Sequence, residues 1–147
     1  MYRHILIPTD GSDLARKAIA SAVALAKDMG AKVTGLYAVP EYIPPVDAMV
    51  PVYQFPSHDE YQRQAAIEAD LVLKDVADAC TAAGVPFELT HGIDSHPYRL
   101  ILAEAKSRGC DLICMSSHGR RGFTALILGS ETQKVLTHGD LPVLVIR

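Results

Sequence analysis

Asp111-Leu112-Ile113-Cys114-Met115-Ser116-Ser117-His118-Gly119 decides the fold. After its aspartate the run is wholly apolar through Met115, which reads as a strand buried on both faces, as in parallel sheets. It leads into a glycine-bearing loop. After nine intervening residues, Gly129-Ser130 opens a stretch with helical spacing that lasts to about His138. A strand, a glycine loop and a helix start expose backbone N–H groups and the positive end of a helix dipole, an arrangement suited to phosphate.

Working outward, the same alternation recurs. Residues 3 to 9 form an apolar run that leaves through Asp10-Gly11-Ser12, and Asp13 to Met29 keeps helical spacing. Ser12 or Asp13 can cap that helix and Gly30 can stop it. Ala31 to Val39 reads as a second strand, residues 59 to 83 as a second helix closed by Gly84, and Val85 to His91 as a third strand. Pro97 to Arg108 forms a third helix, with Asp94 to His96 at its cap, and Pro142 to Ile146 a last strand. Five strands and four helices in βαβ order predict a parallel sheet covered by helices on both faces, with right-handed crossovers.

Between Pro40 and His58, five prolines exclude any regular element. A connection this long in a compact domain is either a lid, an interaction surface or a mobile link. The 147 residues, 49% hydrophobic and 21% charged, suit one domain, residues 1–147, with a core that needs no disulfide. A net charge of −3 without a basic run argues against nucleic acid as a partner. No run approaches a membrane span, and the first apolar segment is too short for a signal peptide. Membrane is therefore not expected as a partner, and a cytoplasmic location is. Cys80, Cys110 and Cys114 are expected as buried reduced thiols; the last two lie about 13 Å apart along a strand, too far to bridge.

In open parallel sheets, ligands sit beyond the carboxyl ends of strands where the winding reverses. Three strand ends here carry distinctive residues: Pro8-Thr9-Asp10, Ala38-Val39-Pro40 and Met115-Ser116-Ser117-His118-Gly119. Asp10 is placed either to accept hydrogen bonds from ribose hydroxyls or to cap the first helix. His118 either bonds a phosphate or ends its strand. Gly119 and Gly122 let a backbone approach an anion, and Arg120 with Arg121 can offset its charge. Ser130 is either a phosphate ligand or an N-cap. The remaining histidines lack metal-site spacing. Neither G-x-S-x-G nor G-x4-G-K-[ST] occurs, so no catalytic residue is assigned.

Four stretches together resemble the universal stress protein family over essentially the whole chain. They are His4 to Ser12, Cys110 to Gly122, the Leu128-Gly129-Ser130 step and Leu141 to Ile146. The resemblance implies a Rossmann-like, doubly wound sheet of order 3-2-1-4-5. In the ATP-binding branch it also implies a G-x2-G-x9-G-[ST] motif, here Ser116-x2-Gly119-x9-Gly129-Ser130. By that likeness Asp10 holds the ribose or adenine, Pro8 and the Val39 backbone line the adenine pocket, and Met115 lies near the base. His118, Gly119, Gly129, Ser130 and Thr132 hold ribose and phosphates. The ligand implied is ATP with Mg2+, or AMP or another adenine nucleotide. A homodimer through the terminal strand, residues 142–147, is implied as well. The role expected is that of a sensor or regulator in stress response. Alternatives are a slow ATP hydrolase using His118 or Glu131, and an interaction module with a vestigial site.

Two residues depart from the family pattern. Ser116 stands where the first glycine belongs and is expected to add strain if that position needs a positive φ. Glu131 is expected to repel a triphosphate unless its carboxylate points away.

Overall fold

The computed structural model describes residues 1–43, 55–119 and 128–147. Most of the proline-rich connection, 44–54, and the residues 120–127, which include Arg120, Arg121 and Gly122, lie outside that description. The elements run β1 (His4–Pro8), α1 (Asp13–Met29), β2 (Lys32–Val39), α2 (His58–Ala83), β3 (Phe87–Ile93), α3 (Pro97–Ser107), β4 (Leu112–Ser116), α4 (Ser130–His138) and β5 (Val143–Ile146). All strand pairs are parallel, and the sheet order is β3-β2-β1-β4-β5, as the resemblance implied.

Strand alternation sorts the core into two layers. Ile5 and Ile7 of β1 and Cys114 of β4 face Ile19, Ala22 and Val23 of α1 and Val76 and Cys80 of α2. Leu6, Leu36, Ile113 and Met115 face the other way, against Ile101 and Ala105 of α3 and Val135 of α4. Helices thus cover both faces. The Ser12 hydroxyl accepts from the Ala15 N–H to cap α1, and Gly30 closes that helix in the left-handed region at φ 64°. Ser57 and Glu60 form a reciprocal capping box at the start of α2. All three cysteines are buried and reduced, and burial pushes each thiol up to about 11.

One boundary moved. The third strand starts at Phe87 rather than Val85 and runs on to Ile93. Val85 is still tied to α2 through its N–H on the Cys80 carbonyl, and Pro86 has no N–H to give. The strand instead follows β2 in register from Val33↔Phe87 to Val39↔Ile93.

A polar cluster lies at the amino end of the sheet. His4, only 4% exposed, places Nε2 2.7 Å from the Thr34 hydroxyl, which itself donates to Glu88 Oε1 at 2.9 Å. A carboxylate only accepts, so the Thr34 oxygen accepts from His4 Nε2–H. Burial first, and the Lys32 ammonium second, hold the His4 imidazole below its ordinary pKa of 6.5, against Glu88, the Arg108 backbone and Asp111. The unfolded chain then binds the proton more readily, so the contribution of His4 to stability is complete above pH 6.5 and is lost as pH falls from there through the lowered folded value. Urea midpoints are expected to drop between pH 7.5 and pH 5 (about the range in which His titrates), and part of that slope should vanish in His4→Gln. An unchanged slope in the variant would contradict this role for His4.

Candidate functional site

The chain winds from β1 out to β3 on one side and from β4 to β5 on the other, so the winding reverses between β1 and β4. A cleft of about 570 Å3 opens there, at the carboxyl ends of the strands. Its size is within the usual range for small-molecule sites. A larger hollow of about 820 Å3 lies beside Tyr42, Phe55 and Tyr61, where residues 44–54 leave the description. We assign the site to the smaller cleft, because the switch point and the helix starts converge on it.

The end of β1 forms one wall. The Thr9 N–H donates to the Leu36 carbonyl at 2.9 Å, and Asp10 Oδ1 accepts from the Ser12 N–H at 3.0 Å. Because Ser12 caps α1, Asp10 is not the cap. Its other oxygen reaches toward the β4 loop: a Cβ on Gly119 would lie 2.5 Å from Asp10 Oδ2. The fold therefore brings together two candidate residues from opposite ends of the chain.

The end of β2 forms the second wall, and there the expectation for Val39 needs correcting. Val39 is 1% exposed and its carbonyl accepts from the Asp94 N–H at 3.1 Å, so it faces β3. Leu36 turns its carbonyl to β1, and backbone groups alternate sides along a strand, so Ala38 turns its N–H and C=O the same way. Ala38 lies two residues past the last β1–β2 pair, Pro8↔Leu36. Ala38 and Pro40 line the cleft in place of Val39.

The third wall joins β4 to α4. Met115, Ser116, His118 and Gly119 line it, and the Gly129 N–H donates to the Ser117 carbonyl at 2.7 Å. The Thr132 hydroxyl donates to the Ser116 carbonyl at 3.0 Å, so it anchors the helix. Gly129, not Ser130, is the N-cap; it has no side chain with which to cap. The α4 N-terminus thus differs from those of α1 and α2, which serine hydroxyls cap. Among the described residues, nothing caps the first-turn N–H groups of Ser130, Glu131 and Thr132, which border the cleft. The expected strain at Ser116 is absent, since it lies in β4 and no described non-glycine residue has a positive φ. His118 sets Nδ1 3.1 Å from the Ser117 hydroxyl.

Asp94, Ser95 and Pro97 complete the rim. Asp94 Oδ1 accepts from the His96 N–H at 2.6 Å, which fixes the turn into α3. Glu131 does not face the cleft with a bare charge: Oε2 accepts from the Tyr98 N–H at 2.9 Å and Oε1 from Lys134 at 2.8 Å. The described lining also holds Glu68, whose Oε1 accepts from the Tyr37 hydroxyl at 2.6 Å. Sequence reading named Ala38 only as part of the Ala38-Val39-Pro40 strand end, and it missed Tyr37, Glu68 and the lining role of Asp94 and Ser95. Only Asp94 and Ser95 carried a signal, as cap residues at a strand end. Four carboxylates, Asp10, Glu68, Asp94 and Glu131, are in the described lining, and among the described residues no group of His, Cys, Asp or Glu is fit to hold a metal.

Comparison with known proteins agrees with this architecture. The universal stress protein family matches residues 1–147. The chain is 30% identical over 149 residues to the universal stress protein YxiE of Bacillus subtilis, covering all of both chains. It is 33% identical over 150 residues to a universal stress protein of Thermus aquaticus, again over all of both. The solved structure of MJ0577 superposes with a TM-score of 0.82 at 27% identity, over 99% of this chain and 96% of that one; MJ0577 comes from Methanocaldococcus jannaschii. At 20% and 17% identity, a universal stress protein in complex with cAMP and the Archaeoglobus fulgidus protein in complex with dAMP share the fold. Their TM-scores are 0.73 and 0.59; each covers 99% of this chain, and this chain covers 97% and 98% of them. On the match over its whole length, the chain belongs to the universal stress protein family.

Proposed function

We propose that the cleft binds an adenine nucleotide and that the protein uses it to sense or regulate a response to stress. The observation that carries this reading is the uncapped start of α4. Its first-turn N–H groups, uncapped among the described residues, border a cleft at the winding switch point that Asp10 also lines. In this reading the phosphates rest on the amides of Ser130 to Thr132, near Gly119 and His118. The Asp10 carboxylate accepts from ribose hydroxyls, and Pro8, Met115 and the Ala38 backbone border the base. The same-fold complexes with cAMP and dAMP motivate adenine as the base.

ATP with Mg2+ is the form we favour, with AMP as the competitor. The first-turn amides of α4, uncapped among the described residues, and the close approach at Gly119 fit a phosphate chain. Because the described lining is acidic and offers no metal cluster, Mg2+ would be carried on the phosphates and would offset their charge. Glu131 is bonded to α3, which weighs against its serving as a hydrolytic base. We place the single domain in the cytoplasm; among the described residues no helix is long and apolar enough to cross a membrane. We further propose an antiparallel dimer through β5, an edge strand with Leu144 exposed. A monomer in light scattering at micromolar concentration would contradict it.

Calorimetric titration of nucleotide-free protein tests the site. Mg-ATP is expected to bind with a dissociation constant in the micromolar range, about −8 kcal/mol, and to weaken when Mg2+ is chelated. No heat with either Mg-ATP or AMP at high micromolar concentration would reject the reading.

A further inference from the structure

Two helix starts border the cleft, and one side chain joins them. Glu131, in the first turn of α4, sends Oε2 to the Tyr98 N–H at 2.9 Å, in the first turn of α3. The N-cap of α3, His96, makes no side-chain cap of its own, so this carboxylate supplies from another helix the acceptor that serine supplies for α1 and α2. Lys134 holds the other carboxylate oxygen at 2.8 Å and lies 5.5 Å from the centre of the Tyr98 ring. Immediately before Tyr98, Asp94, Ser95 and Pro97 line the cleft next to the start of α4.

We propose that Glu131 is a positioning residue: by capping α3 from α4 it fixes the distance between the two walls of the cleft. The inference rests on the nucleotide reading above. The wall made by α4 would carry the phosphates, and the wall made by residues 94–97 would border the rest of the ligand. Each wall is also tied to the sheet independently, α4 by Gly129 on Ser117 and the rim by Asp94 on Val39. At their helix starts the Glu131–Tyr98 bond joins one to the other, while further along α3 and α4 also meet through the Tyr98–His138 ring contact and the apolar packing of Ile101 and Ala105 with Val135. The charge of Glu131 is offset by Lys134 and by the α3 dipole, so the carboxylate acts through geometry rather than by repelling a phosphate.

The test compares wild type, Glu131→Gln and Glu131→Ala by calorimetry with Mg-ATP and with AMP, together with hydrogen exchange at the Tyr98 amide. Glutamine keeps an acceptor for the Tyr98 N–H and alanine does not. Glu131→Ala is expected to bind both nucleotides about fivefold to tenfold more weakly and to exchange the Tyr98 amide faster, while Glu131→Gln recovers most of both. In wild type, adding nucleotide should slow exchange at the Tyr98 amide. Four results overturn the proposal: unchanged affinity in Glu131→Ala, equal weakening in both variants, tighter binding in both, or a Tyr98 amide indifferent to nucleotide. Failure of wild type to bind either nucleotide rejects the nucleotide reading itself, and this inference with it. Binding by wild type with no response to the substitutions rejects only the inference.

Discussion

Gly129→Val is expected to weaken nucleotide binding by about a hundredfold or more, roughly 2.7 kcal/mol. The backbone at Gly129, φ −60° and ψ 151°, is extended and open to any residue. What excludes a side chain is space. A Cβ there would lie 3.0 Å from His118 Cα and 3.3 Å from the Ser117 carbonyl oxygen, both backbone atoms that cannot swing aside. Valine adds two methyl groups beyond that, so α4 must slide off the end of β4, straining the Gly129–Ser117 and Thr132–Ser116 bonds. The amides proposed to hold the phosphates then move as a group. The contrast with Gly119 is informative, because the atom its Cβ would meet is a carboxylate oxygen of Asp10, which can rotate away. Calorimetry with Mg-ATP, with circular dichroism as a check on folding, measures the effect. Wild-type affinity in a folded Gly129→Val protein would contradict the placement of the phosphates.

The largest loss of stability is expected from Leu6→Ala, about 2–5 kcal/mol. Leu6 is fully buried on the central strand, in the layer formed by Leu36, Ile113, Met115, Ile101, Ala105 and Val135. Neighbouring strands and helices hold the backbone from both sides, so the void cannot collapse. Native domains have about 5–15 kcal/mol in total, so the variant should remain folded but melt roughly 5–15 °C lower. Leu36, Ile101 and Met115 also line the cleft, so the cavity would lie directly beneath the site. Urea unfolding of Leu6→Ala beside Ile67→Ala, an exposed control on α2, measures the difference. A loss in Leu6→Ala no larger than about 0.5 kcal/mol, the surface level, would contradict this view of the core.

Much of the fold was legible because its signals are local. The apolar runs at Ile5–Ile7 and Leu112–Met115, the helical spacing after Ser12 and the glycine stops each act within a few residues. Helices α1 and α4 accordingly occupy the residues their spacing predicted. The start of β3 was less legible, since the register with β2 and the missing N–H of Pro86 decide it, not the apolar character of Val85. Within the site, Asp10, Gly119 and Gly129 could be singled out from turn chemistry, and the fold places all three at the cleft or its edge. What the sequence could not show was direction. Whether Val39 or Ala38 turns its backbone to the cleft depends on which side β1 lies. Whether Glu131 faces a phosphate or another helix depends on Tyr98, a partner 33 positions away. Ser116 looked costly only because its φ was unknown.

The central claim is that the open start of α4 receives the phosphate of an adenine nucleotide. Amide-resolved NMR during titration with Mg-ATP tests it most directly. The account predicts that the N–H signals of Ser130, Glu131 and Thr132 move first and furthest, together with Gly119 and Ala38, while amides at the opposite end of the sheet around Lys32 and Glu88 stay in place. Binding accompanied by still signals at Ser130 to Thr132 would contradict it.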